Sequence, residues 1–280
     1  MNTMHYEKLS SIQSTRKTTL LIALVLFFCS LFMLVSGWKI AHPCIVFACL
    51  FHLICSNVIR RKYRNAFCQA IIEGSLSSRF SDKEFSLTEP ADGFLTSCGL
   101  TPDFSFAPGA RHRYVLHAMR EGMRFTIAET SAIRMDGKSI VGSLAGTIVQ
   151  ICGALPEDER WIVERDEALQ PVCRGKDHLK SGLIRPEGVS LPEHVRLYVR
   201  SCDGENIPRA AILAANHLEG SQPITVSACQ GNLSLFVPNE FYAPVKPDIS
   251  AKLEPGMFEG NHLMRLEQTV RLLQRIHKEK

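Results

Sequence analysis

The sequence predicts an α+β protein: an N-terminal two-helix transmembrane hairpin followed by a soluble domain with mainly antiparallel strands and a C-terminal amphipathic helix. Three observations predict it. Residues 18–59 hold two long apolar segments. Between residues 80 and 240, short apolar runs alternate with Gly, Asn and Asp turn signals. Residues 262–278 place apolar side chains on neighbouring helical turns.

From Thr18 to Trp38 there are 21 residues without Lys, Arg, Asp or Glu, twelve of them Leu, Ile, Val or Phe. At about 1.5 Å per residue this run spans the hydrocarbon core of a bilayer. Its side chains contribute roughly −4 to −7 kcal/mol to insertion, with no charge opposing them. Ile40 to Ile59 is also free of formal charge but carries His42, Pro43, His52 and Asn57, so it inserts as the partner of the first segment. Only Trp38 to Pro43 separates them, which makes a tight hairpin with Trp38 at the interface. A cleaved signal peptide is the alternative for the first segment. Its apolar run exceeds a typical signal core, and no small-x-small cleavage site follows before the second segment.

Arg16 and Lys17 flank one outer end of the hairpin and Arg60, Arg61, Lys62 and Arg64 the other, against Lys39 alone in the turn. Cations favour the cytoplasmic side, so both termini are expected there. Residues 1–59 contain four Lys or Arg and one acid, and residues 60–64 add four cations. From the total of +4, residues 65–280 carry −3. The basic excess is therefore juxtamembrane. It suits anionic headgroups and argues against a nucleic-acid partner, which would require a basic face on the folded domain.

In chain order, residues 1–17 read as a polar cytoplasmic tail without a fold and 18–59 as the hairpin. Residues 60–79 read as a juxtamembrane helix with Tyr63, Phe67, Ala70 and Ile71 on one face, and 80–280 as a cytoplasmic α+β domain. Within that domain Glu84–Thr88 is extended and a helical turn begins at Pro90. Tyr114–Met119 and Met123–Ile127 form a hairpin around Arg120-Glu121-Gly122, and Ser131–Met135 pairs with Ser139–Ile151 across Asp136-Gly137. Trp161–Val163 and short strands up to Pro192 follow. His194–Arg200 is a strand, Cys202–Asn206 a turn and Ile207–Leu218 a helix with Pro208 in its first turn. Ile224–Ala228 and Leu233–Val237 pair across Gln230-Gly231-Asn232. The final helix, His262–Lys278, carries Leu263, Leu266, Val270, Leu273 and Gln274 as a stripe expected to pack on the sheet.

The motif search assigns no catalytic residue, metal or cofactor. Gly137-Lys138-Ser139 ends like a phosphate-binding loop, but Ala132 stands where its first glycine belongs. The ten cysteines form no CxxC pair, and Cys173 with His178 is the one close pair of metal-ligand types in the soluble region, so the thiols read as reduced packing residues. His112 and His117 are five apart, which on a regular strand puts them on opposite faces. His52, a polar group in a membrane helix, is a candidate to bond across to Ser30 or to relay a proton, and structural bonding is the expected role.

Several weak motifs then occur in a telling order. Tyr63-Arg64 with Phe67 follows the second apolar segment, Phe125 with Glu129 sits in the first hairpin, and an apolar strand centres on Gly142. After these come Arg196-Leu197-Tyr198-Val199 with Arg209-Ala210, then Gly231-Asn232-Leu233-Ser234-Leu235, then the Leu-rich helix from Leu263 to Ile276. In this order most of residues 60–280 resembles the bacterial membrane-protein family of domain of unknown function 3137. The resemblance implies two N-terminal membrane helices and an α+β domain, and no activity. The chain departs from the family pattern at Pro108 to Arg113 and at Ile207-Pro208.

The expectation is a membrane-anchored, non-catalytic binding or scaffold protein at the inner face of a bacterial membrane. Its partners are the lipid bilayer and either a protein or a second copy of the chain. Glu129, Arg200 and Arg209 are the candidate ligand-binding residues, because each adjoins a strand or helix end within these motifs. The alternative is a membrane-tethered enzyme using Glu129 and an arginine in one cleft.

Overall fold

The computed structural model describes residues 3–76, 80–90, 92–100, 111–136, 139–165, 182–200, 206–218, 224–238, 249–250, 253 and 262–280. The chain divides into two compact units, residues 1–77 with 244–260, and residues 78–243 with 261–280. Residues 80–280, expected from the sequence as one domain, are thus divided, with 244–260 grouped with the N-terminal helices.

The first unit is built on α1 (Thr3–Val35) and α2 (Ala41–Leu76). Both are long and apolar enough to cross a membrane. Leu21, Phe28, Phe32 and Val35 on α1 and Phe47, Leu53 and Ile54 on α2 face outward. The turn between the helices closes on a Schellman motif: Trp38 N–H donates to the Met33 carbonyl and Gly37 N–H to that of Leu34, with Gly37 at φ +78°. Pro43 falls in the first turn of α2, where its missing N–H leaves no helical carbonyl unpaired.

The expected tail is instead helix from Thr3. Residues 3–17 contain neither Gly nor Pro, so extending an existing helix costs little once α1 has formed. At about 1.5 Å per residue α1 and α2 reach roughly 50 Å, well beyond a bilayer core. Their surplus length packs together. Leu9, Ile59, Tyr63, Ala66, Phe67 and Ala70 are buried, and the Tyr63 and Phe67 rings stack at 6.0 Å. Gln13 Nε2 donates to Tyr63 Oη at 3.3 Å and to the Ile249 carbonyl at 3.1 Å, while Arg16 Nη1 donates to Ser250 Oγ at 2.8 Å. These bonds tie Ile249 and Ser250 to α1. The antiparallel pairing also brings Arg16 and Lys17 to the same end as Arg60, Arg61, Lys62 and Arg64.

The second unit is a nine-stranded sheet. Its strands are β1 (Ser81–Pro90), β2 (Arg111–Arg120), β3 (Met123–Asp136), β4 (Ser139–Cys152), β5 (Trp161–Arg165), β6 (Leu183–Ile184), β7 (Val195–Arg200), β8 (Ile224–Cys229) and β9 (Asn232–Pro238). They are ordered β1-β2-β3-β4-β9-β8-β5-β7-β6. Every described pairing is antiparallel. The two tight hairpins turn on Glu121-Gly122 and Gln230-Gly231, each with both residues at positive φ, the twist that suits flanking strands. Gly146 lies where β4 meets β9 most closely; a Cβ there would strike the Val237 carbonyl and the Phe236 ring. The expected strands Met123–Ile127 and Ser131–Met135 are one continuous strand, β3, because nothing between them breaks the ladder with β4.

Helices cover both faces. α4 (Arg209–His217) packs on β5 and β7, and α5 (His262–Glu279) on β4, β9 and α4. Together they bury Ala211, Ala214, Leu266, Val270 and Leu273 against the odd-numbered residues of β5 and β9. α3 (Asp92–Ser97) lies on the other face: Leu95, Cys98 and Leu100 share a core with Leu144, Ile148, Ile162, Tyr198 and Phe236.

Candidate functional site

Glu129 sits in β3, nine-tenths buried, opposite Arg113 of β2 and Thr147 of β4. Arg200 ends β7, five strands away in the sheet order, about 24 Å at 4.8 Å per strand. The two also differ in face. Glu129 shares Thr147's side, whereas Arg200 shares the α3 side with Tyr198. Arg209 is exposed at the first turn of α4 against β5 and β7. The structure therefore does not gather Glu129, Arg200 and Arg209 into one cleft. Alternation along each strand fixes facing, and sheet order fixes distance; neither is visible in the local motifs that singled these residues out.

What does converge is a polar row across the α3 face. Gln150 (β4), Ser234 (β9) and Ser227 (β8) stand side by side in register and are buried. Gln150 Nε2 lies 3.2 Å from Ser97 Oγ, 3.4 Å from Cys98 Sγ and 3.3 Å from Ser234 Oγ. Ser227 Oγ donates to the Cys98 carbonyl at 2.6 Å, and Asn232 Nδ2 to that of Ser97 at 3.5 Å. Sheet side chains thus satisfy carbonyls that the end of α3 leaves without helical partners. Burial pushes the Cys98 thiol up to about 12, outweighing the hydrogen bonds from Ser234 and Ser97 that favour its thiolate. Cys98 is accordingly a protonated structural thiol.

Further along the same face Tyr198 Oη donates to Glu164 Oε1 at 3.3 Å and accepts from Arg185 Nη2 at 2.9 Å, with the Arg185 guanidinium over the Tyr198 ring. No protein family, characterised protein or solved structure matches the chain. The site must therefore be read from its own geometry.

At the β1–β2 end of this face, His112 and His117 meet the same carboxylate. His112 Nε2 is 3.3 Å from Glu89 Oε2 and His117 Nε2 3.7 Å from Glu89 Oε1. Their expected placement on opposite faces is overturned by a β-bulge. The β2–β3 register slips between Arg113 and Leu116, with Tyr114 at φ +50°, so one extra residue restores both histidines to one face. Positive φ is rare for a bulky residue and nothing in the local sequence announces it. Burial lowers the His112 pKa, outweighing the hydrogen bond and charge of Glu89 that raise it. His117 Nδ1 also meets Thr126 Oγ1 at 3.0 Å. No group of three potential metal ligands with suitable geometry occurs among the described residues, and Cys173 and His178 lie outside them.

In the helical unit, Leu20, Ala23, Phe27, Ala48, Cys49 and His52 line a groove between α1 and α2. His52 does not reach Ser30. His52 Nε2 lies 3.5 Å from Ser56 Oγ, whereas Ser30 Oγ donates to the Leu26 carbonyl of its own helix at 2.7 Å. The eight described cysteines are free thiols; Cys68, Cys98 and Cys229 are buried, whereas Cys29 and Cys49 are exposed.

Sequence reasoning missed Gln150, Glu89, Arg160 and Cys229. Gln150 carried a signal, a lone amide inside the apolar run from Ile148 to Ile151. The others acquire meaning only from register.

Proposed function

We propose that this protein is a membrane-anchored, non-catalytic binding or scaffold protein, with its sheet domain tethered at the cytoplasmic face of a bacterial inner membrane and both termini on that side. One observation carries the reading. Two long helices turn large apolar side chains outward along their spans and collect Arg16, Lys17, Arg60, Arg61, Lys62 and Arg64 at one end. Outward Leu, Phe and Ile in water would form an aggregating patch; in lipid they are at home. The cations favour the side that retains positive charge. Kinship with the family of domain of unknown function 3137, argued from motif order, belongs to the same proposal.

A binding role fits the sheet domain, in which Gln150, Ser227 and Tyr198 bond to neighbouring side chains and backbone carbonyls. The partner class in this reading is a protein or a second copy of the chain beside the bilayer. The test is extraction followed by protease access. The chain is expected to stay with membranes through high salt and alkaline carbonate, to survive protease added outside spheroplasts, and to be cut in inverted vesicles. Release by carbonate would overturn the anchor, and cleavage from outside would overturn the orientation.

A further inference from the structure

We propose that Arg160 and Arg200, side by side at one end of the α3 face, form a binding site for a phosphate-class oxyanion. The register places them together. One step beyond the Trp161–Val199 pair, Arg160 stands opposite Arg200, and one step beyond Trp161–Ala228 it stands beside Cys229. Cross-strand neighbours have Cα atoms about 4.5–5.5 Å apart, so guanidiniums on one face of such a pair can converge on a single anion.

Neither guanidinium has a hydrogen-bond or ion-pair partner among the described residues. Arg160 Nη2 is buried and unsatisfied, and both side chains are half-buried, so water solvates them incompletely. Glu159, next to Arg160, is turned toward Trp161, from whose Nε1 it accepts at 2.7 Å. A buried donor without an acceptor is costly, and a planar guanidinium pair fits an oxyanion through parallel N–H···O bonds.

Cys229 is not the missing counter-charge. Both arginines act on its sulfur and lower its pKa, yet burial outweighs them and the thiol stays protonated. Among the described residues, these two cations beside a protonated thiol have no bonded counter-charge. The thiol is then a built-in reporter, because an anion bound over the guanidiniums cancels their effect on it. This inference stands on the sheet alone and does not depend on the membrane reading.

The experiment titrates inorganic phosphate, against chloride at equal ionic strength, into the purified full chain in detergent. Peptide-resolved alkylation of Cys229 is followed by mass spectrometry, with the thermal midpoint measured in parallel. Phosphate is expected to slow Cys229 alkylation and raise the midpoint. In Arg160→Gln and Arg200→Gln alkylation starts slower, because a cation is gone, and apparent phosphate affinity falls about ten- to a hundredfold. Arg200→Lys keeps the charge and loses the fork, so it gives an intermediate affinity if the Gln variants fold poorly.

A second arm replaces free phosphate with nanodiscs of phosphatidylglycerol or of phosphatidylcholine. Protection by phosphatidylglycerol discs alone identifies a lipid headgroup as the source of the phosphate. Protection only by added phosphate identifies a soluble phosphorylated ligand. A wild-type chain indifferent to phosphate, or variants that respond as the wild type does, overturns the site.

Discussion

On the face covered by α4 and α5, the strands present Val149, Ile151, Trp161, Val163, Leu197, Val226, Leu233 and Leu235, all buried. On the face covered by α3, the same strands present Gln150, Glu164, Tyr198, Thr225, Ser227 and Ser234, equally buried. One sheet therefore carries two kinds of interior. The first is held by volume, each side chain filling space against a helix stripe. The second carries polar groups, several of them bonded to one another or to backbone carbonyls, and each donor or acceptor there has a direction as well as a size. A domain needs only the first kind to fold. The second kind, beside two arginines without a partner among the described residues, is where recognition chemistry has room.

The sharpest way to break the apolar side is Leu273→Ala on α5. Leu273 is fully buried and its helix packs on β4 and β9. Removing it costs about 2–5 kcal/mol through lost transfer energy and the cavity left behind. Urea unfolding followed by circular dichroism should show a lower midpoint with an unchanged slope. On the polar side the matching change is Gln150→Leu, which nearly keeps volume and removes the amide. It leaves Ser97, Cys98 and Ser234 without their shared donor. The cost is about 1–3 kcal/mol, set by unsatisfied groups. If Gln150→Leu proved stabilising, the polar row would be incidental.

The pH dependence separates the faces again. Cys98 ionises in the folded chain only near 12, against 9.0 for a free thiol. A raised folded pKa means the folded state holds its proton where the unfolded state has lost it. The resulting stability is fully present below pH 9 and drains away between 9 and 12. The slope is about 1.4 kcal/mol per pH unit, in the direction of lower stability as pH rises. Cys98→Ala, though weaker at neutral pH from lost packing, should show the flatter alkaline decline when both proteins are melted across that range.

Legibility in the sequence follows the same division. Apolar periodicity reveals anything held by volume: the stripe Leu266, Val270, Leu273 and Gln274 is buried as its spacing demands, and the strands from Tyr114 onward lie close to their expected bounds. The Glu121-Gly122 and Gln230-Gly231 turns are legible because glycine supplies positive φ cheaply. Tyr114 adopts positive φ without glycine, so the bulge it makes, and with it the meeting of His112, His117 and Glu89, leaves no local trace. Arg200 was found as a charged residue at a strand end. Its neighbour Arg160 lies 40 positions earlier, and only the pairing of β5 with β7 joins them. Helix in residues 3–17 was missed for a different reason: its polar sequence looks unstructured until α2 is there to bury Leu9 and bond Gln13.

The smallest effect is the most discriminating. Thr225 in β8 is fully buried on the α3 face with Oγ1 lacking a hydrogen-bond partner. Val226, the next residue, is fully buried on the opposite face. Exchanging hydroxyl and methyl at these two positions changes shape very little, so the outcome reports polarity alone. Val226→Thr introduces a hydroxyl into an apolar interior and should destabilise by about 1–3 kcal/mol. Thr225→Val removes an unsatisfied oxygen and should be neutral or stabilising by up to about 1 kcal/mol. The two changes are opposite in sign if the faces differ as described. Should Thr225→Val destabilise instead, its hydroxyl has a partner that forms in solution, and the polar row extends one strand position further toward Glu164, its neighbour in register on β5.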